Sequence, residues 1–573
     1  MASNLHDSAV IDRILHAATA RLTGGVSLIS LDLAWFDWAG HLATSPGRQA
    51  ELVHCATIEA LRQWDVLTAE WRGLAPLGAL EGGDRRFSGD AWQKPPFSTF
   101  ARNFLSIGHW WNEAVRVHGV SDRHQALLAF LGRQYLDIFA PSNGILTNPE
   151  ILTRTVETGG LNLFNGWLNA LDDMAALALC GGQRPVSDKL VIGTDIATTP
   201  GVVVARTSIA EIIQYTPTTA KVHADPVVIV PAWIMKYYIL DLSRQNSLVR
   251  YLVEQGFTVF MVSWKNPGPE DRHTAFDDYR TQGVMAAIDA ATAITGAQQV
   301  HATGYCLGGT LLAIAAATMG RDGDHRLKTL SLFASQTDFH EAGELRLFIN
   351  DSQLALIEDM MWMRGYLKAD EMAGAFHILR SNDLIWSRMI ADYAMGEREK
   401  PLDIMLWSED ATRMPYRMHS EYLRQLYLEN RLAEGAMIVD GNPVALRDIS
   451  VPMFVVGTEW DHVAPWRSVF KIHLAAEGDV TFVLTNGGHN AGIVSEPGHP
   501  GRHYRMATQS ATATYVDPDR WLELSDHAEG SWWPAWTKWL DQKAPKWVDP
   551  PTLGAPEAGY PSLGPAPGSF VRG

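Results

Sequence analysis

Apolar residues recur at mixed three- and four-residue spacings over 123–139 and 161–179, the pattern of amphipathic helices. Trp110, Trp111 and the loop-like run Pro141-Ser142-Asn143-Gly144 lie in the same part, so 1–188 reads as a mainly helical amino-terminal domain. From about Lys189 the pattern changes. Short β-rich runs at 201–205, 226–230, 258–262, 299–303 and 329–334 are separated by helical stretches at 248–255, 284–295 and 309–319. Strand alternating with helix predicts a parallel α/β sheet. The alternation stops over 337–447, where 360–386 and 414–432 are rich in Met, Trp, Tyr and Leu and read as helices of a cap insertion. Sheet texture returns at 451–457 and 480–485. The Pro- and Gly-rich end, 546–573, predicts an extended tail, on the core or loose in solvent. The expected plan is therefore a helical domain, 1–188, followed by an α/β domain, 189–573, that carries the cap and the tail.

Composition narrows the class. The chain has 573 residues, 46% of them apolar and 19% charged, which suits a large core and not disorder. A net charge of −17 argues against a nucleic-acid binder, although a local basic patch could still hold an anionic substrate. Three cysteines, Cys55, Cys180 and Cys306, are too few for a disulfide framework and fit a reducing cytosol. The first 22 residues carry Asp, His and Arg and do not read as a secretion signal. The longest apolar run, around 311–319, is shorter than the ~20 residues that span a bilayer. A soluble intracellular protein is expected.

The informative stretch is Thr303-Gly304-Tyr305-Cys306-Leu307-Gly308-Gly309, entered by a β-rich run and left by a small-residue helix. This pattern predicts the nucleophile elbow of an α/β-hydrolase with Cys in place of Ser. Glycines leave room for a sharp strand-to-helix turn, and the helix N-terminus favours a thiolate. Cys55 and Cys180 lie in helical texture without such surroundings and read as structural. The fold orders its triad as nucleophile, acid, histidine. Asp461 follows the run 451–457 and His489 follows 480–485, so both sit at the sheet edge toward which the elbow points; Glu459 is a nearby rival acid. One oxyanion donor is expected at the backbone N–H of Leu307 and a second in the loop Pro231-Ala232-Trp233-Ile234. Lys236 could reach a phosphate or be a solvated charge.

With these residues in view the chain resembles the poly(3-hydroxyalkanoate) synthases. Pro231-Ala232-Trp233-Ile234-Met235-Lys236-Tyr237-Tyr238 is similar to a signature of that family, as are Val262-Ser263-Trp264-Lys265-Asn266-Pro267 and the elbow itself. Asp461-His462-Val463-Ala464-Pro465-Trp466 and Gly488-His489-Asn490-Ala491-Gly492 resemble the segments that carry its acid and base. The likeness extends to Phe100-Ala101-Arg102-Asn103, His109-Trp110-Trp111 and Thr147-Asn148-Pro149-Glu150. It implies Cys306 as acylated nucleophile, Asp461 and His489 as its partners, and the Ile234 N–H as second oxyanion donor. Met235 stands where the family's Trp-Ile-Asn-Lys segment has Asn; a backbone donor at Ile234 survives that change.

The resemblance also implies an acyltransferase that polymerises (R)-3-hydroxyacyl-CoA with release of coenzyme A. It needs no cofactor beyond the CoA that arrives on the substrate. A single-chain, class I-like enzyme is implied, cytoplasmic at the surface of polyester storage granules, with a homodimer as one state open to it. Two rivals stand beside this reading: a cysteine hydrolase on the same fold, and a non-catalytic granule protein built on it. The latter should have lost a triad member, and all three are present.

Overall fold

The computed structural model describes residues 2–72, 84–180, 190–369, 371, 385–398 and 403–573. Two compact units emerge: Met1–Val26, Lys189–Ala373 and Pro401–Gly573 form one, and Ser27–Asp188 with Gly374–Lys400 form the other. The expected boundary at 188/189 falls among 181–189, outside the described residues.

The units depart from the expected division in two places, each for a visible reason. Helix Ala2–Leu22 belongs with the α/β unit, because Ala17 and Ala20 pack on Met360 and His16 Nδ1 lies 2.7 Å from Asp359 Oδ2. Residues 374–400 belong with the helical unit. There Asn162 Nδ2 donates to the Ala394 carbonyl (2.8 Å), while Tyr393 and Arg398 converge on Asp173 (2.8 and 2.9 Å). In the helical unit, side chains close the helix starts: Asn148 accepts from the Glu150 and Ile151 amides, and Pro149 follows at the first helical position.

Among the described residues of the α/β unit, ten strands form one sheet. They are β1 (Gly201–Arg206), β2 (Ala210–Tyr215), β3 (Val227–Val230), β4 (Val259–Trp264), β5 (Val300–Tyr305), β6 (Leu327–Phe333), β7 (Met453–Thr458), β8 (Val480–Thr485), β9 (His503–Gln509) and β10 (Asp526–Glu529). Their order is β1-β2-β4-β3-β5-β6-β7-β8-β9-β10, parallel from β4 to β8 and antiparallel at both edges. The central strands β3, β4, β5, β7 and β8 are buried along their whole length, as befits a parallel sheet covered on both faces. Helix Leu307–Asp322 is buried from Leu307 to Met319; its Gly and Ala residues let it lie inside the core.

The insertion differs from the expected helices. Helix Asp351–Arg364 stops at Gly365 (φ 91°), and Tyr366–Leu367 then pairs with Met414–Pro415. The expected helix 360–386 therefore breaks there, and 370 and 372–384 lie outside the described residues. Helix Tyr416–Tyr422 runs on as a π-helix, Leu423–Leu428, where the Glu429 amide donates to the Arg424 carbonyl (3.0 Å). The tail lies on the core. Backbone bonds Val203 N to Gly564 O (2.9 Å), Leu563 N to Val203 O (2.8 Å) and Ala566 N to Gly201 O (2.9 Å) attach it to the open edge of β1.

Candidate active site

Cys306 caps helix Leu307–Asp322 immediately after β5, with φ 52°. For a residue with a Cβ this left-handed backbone costs about 1–3 kcal/mol, so the surroundings must enforce it. They do so through backbone packing. The Cys306 amide donates to the Phe333 carbonyl at the end of β6 (2.9 Å). A Cβ on Gly304 would lie 2.3 Å from Gly309 Cα, and one on Gly308 would lie 2.3 Å from the Val230 oxygen and 2.4 Å from that of Pro231. Only glycines allow the turn to close this tightly, and the Gly308 contact seats the elbow against the loop that leads to Ile234.

Leu307 is the first helical residue, so its N–H has no intrahelical acceptor four residues back. Ile234 is buried after β3, and its carbonyl accepts from the Thr412 amide (3.0 Å).

Asp461 and His489 are brought together by two loops that leave adjacent parallel strands. The Glu459 amide donates to Thr485 O (3.0 Å) and the Trp460 amide to Gly487 O (3.1 Å), which zips the loop after β7 to the loop after β8. His489 Nδ1 then lies 2.7 Å from Asp461 Oδ2. The carboxylate is fixed by the Val463 and Ala464 amides on Oδ1 (2.9 and 2.8 Å) and the Thr458 hydroxyl on Oδ2 (3.1 Å). Its side chain is fully buried, and that of His489 is 12% exposed. The rival Glu459 turns elsewhere, with Oε1 3.8 Å from His503 Nε2.

Burial opposes charge on the imidazole, but the hydrogen-bonded Asp461 carboxylate, with the Cys306 sulfur adding to it, holds His489 well above its ordinary range. A carboxylate-held histidine beside a sulfur is an arrangement that thiol nucleophiles use. The phenols of Tyr305, Tyr422 and Tyr427 are pushed up chiefly by burial, and Cys306 adds to each, which places all three in the field of the sulfur. Tyr305 is held by its hydroxyl, which donates to Asn490 Oδ1 (2.6 Å), and its ring centroid is 5.7 Å from that of His489.

Two tyrosines of the insertion escaped the sequence reading. Tyr422 and Tyr427 are five apart, and an i→i+5 backbone turn brings such residues onto one face, with ring centroids 5.6 Å apart. Trp233 meets Tyr422 edge-on at 5.4 Å, and Phe339 meets Tyr427 at 4.7 Å. Cys306 is left 7% exposed. Of the other cysteines, Cys55 is half-buried, and the side chain of Cys180 lies outside the described residues. Among the described residues no helix is long and apolar enough to cross a membrane.

The chain is similar to known proteins over most of its length. Residues 83–252 match the family model described as the poly-beta-hydroxybutyrate polymerase (PhaC) N-terminus, and residues 6–48 match a second described as the polymerase N-terminal. Residues 225–360 match the alpha/beta hydrolase fold, in accord with the strand order and with the fold class expected from the sequence. The chain is 40% identical over 497 residues to a poly(3-hydroxyalkanoate) polymerase of Methylorubrum extorquens, covering 85% of this chain and 80% of that one. It is 38% identical over 503 residues to the polymerase subunit PhaC of Rhizobium meliloti, with coverage of 86% and 80%. The corresponding protein of Cupriavidus necator is 34% identical over 518 residues, with coverage of 88% and 86%.

Proposed function

Because the chain belongs to the poly(3-hydroxyalkanoate) polymerase family, we propose that it polymerises (R)-3-hydroxyacyl-CoA into polyester through a thioester on Cys306. The observation that carries the proposal is the strained, nearly enclosed Cys306 sulfur beside a carboxylate-bound histidine.

In the first half-reaction His489 takes the thiol proton and the sulfur attacks the thioester carbonyl. The oxyanion collects hydrogen bonds from the N–H groups of Leu307 and Ile234. Collapse expels CoA as its thiol, with His489 returning the proton, and leaves the acyl group on Cys306. One thioester replaces another, so the step is close to neutral in energy. In the second half-reaction the hydroxyl of another hydroxyacyl unit gives its proton to His489 and attacks the acyl-enzyme, forming an ester and freeing the thiol. Asp461 holds the imidazole in the tautomer with Nδ1–H, leaving Nε2 for the reacting groups. The Tyr422 and Tyr427 rings support exclusion of water from the thioester.

CoA enters and leaves on the substrate, and the scheme needs no resident cofactor. The growing polyester is the second ligand, and it sets the working place at a granule surface in the cytoplasm; a homodimer is compatible with all of this. An acidic chain of net charge −17 supports no role in nucleic-acid binding.

The test is the product. With (R)-3-hydroxybutyryl-CoA the protein should give insoluble polyester with almost no free acid, and a brief pulse should leave the acyl group on the peptide containing Cys306. One free 3-hydroxybutyrate per CoA released would identify a hydrolase. No CoA release at all would identify a non-catalytic granule protein.

A further inference from the structure

The loop that carries Ile234 is held by the insertion and also by the far end of the chain. From the insertion, the Thr412 amide donates to Ile234 O (3.0 Å) and Trp407 Nε1 donates to Lys236 O (2.7 Å). From the tail, Lys236 Nζ donates to the main-chain oxygens of Gly573 (2.7 Å) and Phe570 (3.5 Å). Asn266 Nδ2 donates to the same Gly573 oxygen (2.9 Å), while its Oδ1 accepts from the Arg413 amide (2.9 Å), next to Thr412. The bonds therefore close a ring through 234–236, 573, 266 and 412–413.

The tail is pinned in turn by Glu211 in β2, which is fully buried. Its Oε2 accepts from the Ser569 and Phe570 amides (2.8 and 3.0 Å), and its Oε1 from the Ser569 hydroxyl (2.7 Å) and the Arg206 guanidinium (2.6 Å). The fit is close: at Gly568 (φ 82°) a Cβ would lie 2.4 Å from Glu211 Oε2.

We infer that the carboxy-terminal strap, anchored by Glu211, positions the Ile234 loop through Lys236, so that Lys236 is a positioning residue for the oxyanion. The inference rests on the proposed role of the Ile234 N–H. Lys236 is only 4% exposed, and a buried ammonium is tolerated because it is hydrogen-bonded. Burial pushes its pKa down, against the pull of Asp410. Of the two sequence readings for this residue, solvated charge and phosphate ligand, the first does not hold. The second competes poorly, because the ammonium is committed to the tail. An oxyanion donor is effective only when held 2.7–3.1 Å from the developing charge, so a loosened loop should slow acylation and leave substrate capture intact.

Lys236→Met keeps the aliphatic stem and removes the donors. Acylation of Cys306 by (R)-3-hydroxybutyryl-CoA in a single turnover should slow by about tenfold or more, with KM changed less than about twofold and the melting midpoint retained. Glu211→Gln should act in the same direction, less strongly. An unchanged acylation rate would overturn the inference. So would a raised KM at constant kcat, which would make Lys236 a ligand for the CoA phosphates. A loss that merely tracks the unfolded fraction and disappears on cooling would reduce the strap to a structural role. If Lys236→Met does not fold, Asn266→Ala and Glu211→Gln decide by the same readouts. Wild-type protein that carries no acyl group on Cys306 defeats the proposed function itself, and this is seen before any variant is made.

Discussion

On the sheet side of Cys306, backbone meets backbone: Gly304 against Gly309, and Gly308 against the carbonyls of Val230 and Pro231. On the cap side, rings meet rings: Trp233 against Tyr422 at 5.4 Å, Tyr422 against Tyr427 at 5.6 Å and Phe339 against Tyr427 at 4.7 Å. The first kind of contact has no slack, since neither partner has a torsion to spend. The second is a set of edge-on and tilted pairs worth about 0.5–1.5 kcal/mol each, and rings can change rotamer. The elbow is thus built to hold one geometry, and under the proposed function the cap would cover a site that admits a CoA thioester and lets a polymer out.

The largest effect should come from violating the rigid side. A methyl group at Gly308 has no place, with oxygens at 2.3 and 2.4 Å, so Gly308→Ala must push the elbow and the Ile234 loop apart. Both proposed oxyanion donors lie across that contact. Turnover should fall by about 10²–10³, the loss found when one oxyanion donor is removed. The strain should also lower stability by about 1–3 kcal/mol, measurable by urea unfolding. Near-wild-type acylation in Gly308→Ala would mean that the elbow has slack after all, and the contrast with the cap would disappear.

A smaller and different effect is expected on the cap side. Tyr422→Leu removes the ring that meets Trp233 and Tyr427 but leaves every backbone contact of the elbow. CoA release should change by less than about tenfold, because no group in the chemical step is lost. The products should shift instead, with free 3-hydroxybutyrate rising above the trace level of the wild type as water reaches the thioester. Tyr422→Phe keeps the ring and should not show this shift. Equal product ratios in Tyr422→Leu and wild type would remove the water-excluding role assigned to these rings.

The same contrast decides what could be read in the sequence. Gly304, Cys306, Gly308 and Gly309 lie within six consecutive positions between a buried strand and a small-residue helix, so the elbow is a local signal. Asp461 and His489 were legible because each follows a recognisable apolar strand. Tyr422 and Tyr427 were not, since their pairing depends on an i→i+5 turn that no three- or four-residue spacing reveals. Strand β2 was missed because Glu211 and Gln214 interrupt its apolar run. Both are buried there because the tail satisfies them, with the Gly554 amide donating to Gln214 Oε1 (2.8 Å) across 340 positions. The first helix joins the α/β unit through His16 and Asp359, 343 positions apart. Periodicity carries no information at such separations.

The smallest effect concerns stability in acid, and it asks whether core and cap unfold together. His301 lies in the central strand β5, with Nδ1 2.8 Å from Thr329 Oγ1 and a buried Nε2 that has no partner. His419 lies in the cap helix Tyr416–Tyr422, with a buried Nδ1 that has no partner. Burial pushes both imidazoles down to about 3, for His301 with help from Lys328 and His223. The unfolded chain takes up a proton at each near pH 6.5, whereas the folded chain does so only near pH 3. Below pH 6.5 the unfolded state therefore binds more protons, and each histidine makes stability fall by up to about 1.4 kcal/mol per pH unit. His489 has the opposite sign: held above its ordinary value, it stabilises fully below pH 6.5 and loses that contribution as pH rises through its folded value, so it leaves the acid window clear. Urea unfolding at pH 7.0 and 5.5 should show His301→Leu and His419→Phe each removing about 1 kcal/mol of the acid-induced loss. If core and cap form one cooperative unit, the two variants flatten the same transition equally. A cap that opens by itself would confine the His419 effect to an earlier transition and leave the core's acid slope to His301.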